Sequence, residues 1–439
     1  MKGKKLMLAL ISIAVVIACW IAAVMAFSGV KEKQQQASLY AEAVSFDERG
    51  LYARAIPKYK EALAIRTDLN NEIEDRLLAA YHAHGDKGLY TDLVLKREKN
   101  GRATEEEYMQ AAEYLIASYK REDAMNLVKR GIEKFDSEKL KEYYENTAYA
   151  YRANIAEYAE ILSTSSRSDL MPAYNGEGWF YLNDYGWPAR NKVYEAATPY
   201  NKKGYAAVRE NGVYYIIDRS GELYAIADPS ITDVSGLTAS RVLAKKNGTY
   251  SYYDLDFQPL NEQLQFEEIT RNADGVAAVK TNGRWGILAD DLSVVVEPDF
   301  DDIALNALGS AFAGGHAMVK KGDAWHLIDT TGADVCEQTW ADARAPESDG
   351  WIAVANAEGK WGFIDPTGAM KIDYQFEDAA SFSDGLAAVE KINRWYYIST
   401  NGRVQIEENM TEARAFHDGR AIAITPAGAM ILTLEYVSK

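Results

Sequence analysis

The sequence predicts a multidomain chain in three parts: one transmembrane helix, an α-solenoid, and an all-β repeat domain that closes into a propeller-like ring, with an open β-solenoid as the alternative. Three observations predict it. Residues 6–27 are uncharged and overwhelmingly apolar. From Gln36 to about Ser163 the hydrophobic period is helical and glycine is sparse. From residue 176 onward one hairpin recurs at a nearly fixed spacing, which is the mark of a repeat architecture.

Taken in order, residues 1–30 read as a cytoplasmic tail and a signal anchor. An apolar run of this length spans a bilayer core of about 30 Å as a helix, and Lys2, Lys4 and Lys5 before it hold the N-terminus in the cytoplasm. The expected localisation is therefore the cell membrane, single-pass, with the main body extracytoplasmic. Two rival readings of the same stretch are a cleavable signal peptide ending at Val24-Met25-Ala26, which has no polar region before the cut, and a lipoprotein box at Val16-Ile17-Ala18-Cys19, which is followed by apolar residues where a tether turns polar.

Residues 36–163 predict paired helices. The stretch from Gly50 to Leu63 resembles the second half of a tetratricopeptide repeat, with Leu39, Ala43 and Phe46 at first-helix positions. Ala43, Ala55 and Ala62 are small enough for two helices to approach closely, and Tyr52 and Tyr59 fill the groove between them. Pro57 departs from the pattern and is expected to kink the second helix or move its start. Two further pairs follow at a period of about 34 residues and match only weakly, with a plain helical bundle as the alternative. One runs from Glu72 to Asn100 and breaks at Gly85; the other runs from Thr104 to Phe135 with Ala112, Leu115, Ala124 and Val128 inward. One long amphipathic helix from Ser137 to Leu162 would cap the open end. Residues 164–175 read as the linker, because the small polar side chains from Ser163 to Asp169 cannot hold a core.

Residues 176–439 carry the β repeat. Its best-formed copy is Lys360 to Gly368. Trp361, Phe363 and Ile364 form a strand, and Asp365-Pro366-Thr367-Gly368 forms a turn in which Asp bonds its own backbone and Gly takes the left-handed position. The Trp361 position recurs at Trp179, Tyr214, Tyr250, Trp285, Trp325 and Trp395, and Ala429 falls there last. Small residues open an alternating strand before it, as in Gly275-Val276-Ala277-Ala278-Val279 and Gly385-Leu386-Ala387-Ala388-Val389, and Asn211-Gly212, Asn247-Gly248 and Asn282-Gly283 mark tight hairpins between the two strands. With Trp285-Gly286 and Trp361-Gly362 these residues resemble the bacterial WG-containing repeat. What that resemblance implies is a β-rich interaction module. Seven to eight units are expected, and the chain starts and stops in mid-repeat, so one blade is completed from both ends.

Composition narrows the function. A formal net charge of −17 over 439 residues argues against nucleic acid, whose phosphates need clustered Lys and Arg. Cys19 and Cys336 are too far apart in context to pair, so no disulfide framework is expected. His82, His84, His316, His326 and His417 have no zinc spacing, and no phosphate loop or nucleophile elbow occurs. The acidic run Asp290, Asp291, Glu297, Asp299, Asp301 and Asp302 reads as a solvated rim rather than a calcium loop. No catalytic, metal or cofactor site is expected, and no ligand-binding residue can be named. The expected role is a non-enzymatic binding or scaffolding protein with a protein or peptide partner and a membrane attachment through residues 6–27. The alternatives are a cell-wall glycan binder using Trp179, Trp187, Trp340 and Trp351, and an envelope hydrolase built on paired carboxylates.

Overall fold

The computed structural model describes Trp20 and residues 29–65, 69–261 and 263–437. Two compact units divide between Tyr144 and Glu145, earlier than the linker expected at 164–175. Among the described residues no helix is long and apolar enough to cross a membrane. The expected transmembrane helix is corrected accordingly, and the single-pass localisation with the body outside falls with it. The first described helix, over 29–47, is built on Lys31, Glu32, Lys33 and three glutamines, which no bilayer core accepts. Apart from Trp20, residues 6–27 lie outside the described residues.

The first unit is helical. After α1 (29–47) come α2 (Tyr52–Leu63), α3 (Asn70–His84), α4 (Lys87–Lys99), α5 (Glu105–Ala117), α6 (Arg121–Phe135) and α7 (Glu138–Ala148). The small residues expected between helices are fully buried: Ala43, Ala55, Ala62, Ala112 and Ala124. Tyr59 is buried among them with its hydroxyl donating to Asp47 Oδ2 at 2.7 Å. Helix α2 runs unbroken through Pro57. Gly85 ends α3 in the left-handed conformation, and Thr104 with Glu107 forms a capping box at the start of α5. The period is visible as bonds between equivalent helices. Gln36 Nε2 donates to Asn70 Oδ1 34 residues on, Tyr114 meets His82 at a separation of 32, and Arg130 binds Glu98 at the same separation.

The second unit is a propeller of eight sheets. Blade 4 shows the pattern: Glu268–Ile269, Val276–Thr281, Arg284–Ala289 and Val294–Phe300, paired antiparallel in chain order from the channel outward. Blades 2, 6 and 7 repeat it with four regular strands, and blades 1, 3 and 5 have three, their outermost segment held by isolated bridges such as Trp325 to Trp340. The aromatic register position is the first residue or two of the third strand in each. There it faces a large apolar residue of the outer segment: Phe300 opposite Trp285, Phe376 opposite Trp361, Met410 opposite Trp395. Cations lie over these rings, Lys280 at 5.4 Å from the Trp285 centroid and Arg344 at 4.5 Å from that of Trp361. The Asn-Gly hairpins adopt positive φ at both residues, 53° at Asn282 and 76° at Gly283, which is the turn whose twist suits the strands.

Blade 8 closes the ring. Glu412–Ala413, Arg420–Thr425 and Gly428–Leu434 come from the end of the chain, and Tyr151–Ala156 pairs with the last of them as the outermost strand. Closure from both ends holds, but not with the residues expected. The donated strand lies within the stretch read as a capping helix from Ser137 to Leu162; that helix ends at Ala148, and Tyr151 to Ala156 find their hydrogen bonds on Gly428–Leu434. Blade 1 has its own opening strand, Met171–Tyr174, and Ala173, Phe180, Leu182, Ile422 and Ile431 form one core across the seam.

Candidate functional site

Each blade sends a loop from its first strand to its second, and in four of them that loop carries Asp-Gly near its end. Asp274, Asp384 and Asp418 take positive φ between 49° and 55°, and the glycine after each is also left-handed. These aspartates reach the next blade. Gly315 N–H donates to Asp274 Oδ2 at 2.8 Å, Gly419 N–H to Asp384 Oδ2 at 2.7 Å, and Gly385 N–H to Asp349 Oδ2. Asp418 completes the pattern across the seam by accepting from Ser166 Oγ at 3.0 Å and Arg167 N–H at 3.1 Å. The repeating Asp-Gly therefore stitches blade to blade.

Blade 1's copy of this loop is the run from Ser163 to Asp169 that composition reads as a linker. Ser163, Thr164 and Asp169 are buried. The buried Arg420 guanidinium donates to Ser166 O and Asp169 O at 2.9 Å, Arg167 O at 3.1 Å and Asp184 Oδ1 at 2.6 Å, and also reaches Thr164 Oγ1. Arg219 binds the Asp169 carboxylate from blade 2. The loop of small polar residues is held in place because Arg420 satisfies its carbonyls and Arg219 pairs with its Asp169 carboxylate.

The eight loops converge on one cavity of about 980 Å³, lined from every blade: Ser165, Asn201, Thr238, Asn272, Asn306, Glu347, Asp384 and His417 in turn. Its charge is divided. Lys202, Arg241 and Arg271 stand on blades 2, 3 and 4, while Glu347, Asp384 and Asp418 stand on blades 6, 7 and 8. Asp274 and Asp290 add negative charge on the blade 4 side.

Glu347 and His417 are 6% and 7% exposed, with Glu347 Oε2 3.7 Å from His417 Nδ1. Burial, with Asp384 and Asp349 nearby, pushes the Glu347 carboxyl up to about 8. Burial pushes His417 down to about 4. At neutral pH the two therefore face each other as neutral groups, at a distance too long for a hydrogen bond. Asp384 is raised to about 6, by burial first and opposed by its bond from Gly419. On blade 4 Arg271 is held by carbonyls, donating to Leu237 O at 3.1 Å and Leu308 O at 3.3 Å, with no carboxylate in ion-pair range among the described residues. Arg241 bonds Asp290 O and lies 5.6 Å from the Tyr252 centroid.

The features singled out from sequence disperse. Among the described residues no three His, Cys, Asp or Glu side chains gather as a metal site. Within the acidic run, Asp301 accepts from the Gly322 hairpin amide at 2.7 Å and pairs with Arg284, and Asp291 caps its own turn at Ser293. Glu267 and Glu377 play the Asp301 role for Gly283 and Asn393, so part of the acidity caps hairpins. Of the proposed sugar platforms, Trp340 is in the core at 6% exposure, and Trp187 at 69% stands open beside Tyr185. The mouth itself was missed. The available signal was Asp-Gly recurring before the opening strand in four of the units, at Asp274-Gly275, Asp349-Gly350, Asp384-Gly385 and Asp418-Gly419.

The family model described as the WG containing repeat matches residues 191–214, 263–285 and 361–395. No curated protein matches the sequence. Among solved structures the chain is similar to Hsv2 of Kluyveromyces lactis, at 12% identity over 58% of this chain and 98% of that one with a TM-score of 0.38. It is also similar to a structure titled as the eukaryotic initiation factor, at 10% identity over 61% and 79% with a TM-score of 0.38. The AfRom2 CNH domain matches at 10% identity over 56% and 95% with a TM-score of 0.32.

Proposed function

We propose that this chain is a non-enzymatic interaction protein whose propeller engages a partner polypeptide at the channel mouth, with the helical hairpins as a second protein-binding surface. The observation that carries the reading is the convergence of the equivalent loop from all eight blades on one cavity of about 980 Å³. Loops positioned by a rigid ring are where a repeat scaffold places recognition, and the cavity is within the size range of ligand pockets. The WG containing repeat matches supply a repeat-based module of the same kind. Peptide-display selection on the purified chain tests it. Selected sequences should lose binding in Ser240→Trp, which fills the mouth from the blade 3 loop, and keep it in Ser293→Trp on the outer turn of blade 4. Selected peptides that ignore Ser240→Trp would put the partner site elsewhere.

A further inference from the structure

We infer that the mouth takes a short peptide with both ends free, its ammonium group against Glu347 and its carboxylate against Arg241 and Arg271. This rests on the mouth being the partner site and names the chemistry of what enters it.

The argument begins with polar groups left over after the fold is satisfied. Asp274, Asp384 and Asp418 are spent on the next blade's amides, and Asp290 is exposed. Glu347 is different: it is buried, and among the described residues no donor reaches its carboxylate within hydrogen-bond distance. Beside it His417 Nε2 is buried without a partner, and so is Asn272 Nδ2 on blade 4 of the same cavity. A buried polar atom without a partner is costly, and native structures retain few that have no use. Two blades away Arg271 is a partly buried cation that only carbonyls satisfy, with Arg241 above the Tyr252 ring on the neighbouring blade 3. An acid without a donor on blade 6 and bases without an acid on blades 3 and 4 thus line one cavity. A ligand carrying both charges satisfies each with its complement, and a singly charged ligand leaves one side unmet.

Size selects the class. A volume of 980 Å³ corresponds to a sphere about 12 Å across, and at about 3.3–3.6 Å per extended residue it holds roughly three residues. An ammonium against Glu347 also favours its ionised form, so docking is coupled to loss of the proton that burial holds there.

The test is equilibrium dialysis of the full chain against three tripeptide pools of equal composition: uncapped, N-acetylated and C-amidated, read by mass spectrometry. The uncapped pool should contain members retained at least about tenfold more strongly than their counterparts in either capped pool. Glu347→Gln should erase the discrimination against acetylation and leave that against amidation; Arg241→Met should do the reverse, with thermal melts showing both variants folded. Equal retention of all three pools, abolished together by Ser240→Trp, would overturn the two-charge ligand and leave the mouth as the partner site. Retention that survives Ser240→Trp would remove both, and so would no retention from any pool.

Discussion

The Asp384 carboxylate of blade 7 accepts the Gly419 amide of blade 8 at 2.7 Å, and the same bond from Asp274 to Gly315 joins blade 4 to blade 5. Residues at the end of a loop therefore carry the contact between blades. Both aspartates take the left-handed conformation, which Asp tolerates better than most residues.

Replacing this acceptor should destabilise the ring in a way that depends on its chemistry. Gly419 is buried, so Asp384→Ala leaves a buried N–H without a partner and is expected to cost about 1–3 kcal/mol. Asp384→Asn keeps an acceptor oxygen and should cost less. Denaturant melts of both variants would decide it; equal losses would mean that the carboxylate matters only by its charge.

The glycine after the tryptophan has a local reason. A Cβ at Gly362 would lie 2.6 Å from Ile372 O of the outer strand, where residues 373–375 bulge past this single position. Gly362→Ala is expected to cost about 1–3 kcal/mol by forcing that strand outward. Gly212→Ser at a hairpin tip meets nothing within 4 Å and tests only the positive φ there, so it should cost less. A neutral Gly362→Ala would show that the bulge adjusts freely, as it does around Tyr396 of blade 7.

Arg420 locks the seam. Arg420→Met would strip donors from Ser166 O, Arg167 O and Asp169 O together and is expected to cost about 3–5 kcal/mol. Proteolysis should then cut first between Ser163 and Asp169, because that loop has lost its anchor. Unchanged cleavage kinetics there would assign the loop's order to Arg219 and Asp169 instead.

How far the fold could be read from sequence follows from where each signal resides. The hairpins were legible since alternation, Asn-Gly and the tryptophan position are all local, and the buried alanines of the helical hairpins were legible for the same reason. Tyr151–Ala156 was not, because nothing within it states that its partner is Gly428–Leu434 at the other end of the chain. Ser163 to Asp169 misled because composition does not show that Arg420 satisfies its carbonyls. The mouth was illegible for a related reason: Glu347, Asp384, His417 and Arg271 come from four loops, and only ring closure makes them neighbours around one cavity.

The buried acid of the mouth should leave a signature in the pH dependence of stability. Glu347 is raised from an ordinary 4.5 to about 8, so its contribution is fully present below pH 4.5 and is lost as the pH rises through 8. Asp384, raised from 3.8 to about 6, has lost its contribution by neutrality, and His417, lowered from 6.5 to about 4, has its own in full above 6.5 and loses it only as the pH falls. Asp349, Asp384 and His417 face Glu347 from its own loop and from blades 7 and 8, and of the shifted groups Glu347, Asp384 and His417 the first alone changes its contribution between pH 6.5 and 8. At about 1.4 kcal/mol per unit, the wild-type protein should lose roughly 2 kcal/mol across that interval, or about 4–8 °C in Tm. Glu347→Gln has no proton to give up and should melt at a nearly constant temperature over the same range, overtaking the wild-type protein at pH 8.5. Groups that titrate elsewhere on the chain are common to both proteins, so the difference between the two slopes isolates this carboxyl. Parallel slopes would mean that Glu347 ionises near its ordinary value and is solvated in the folded ring.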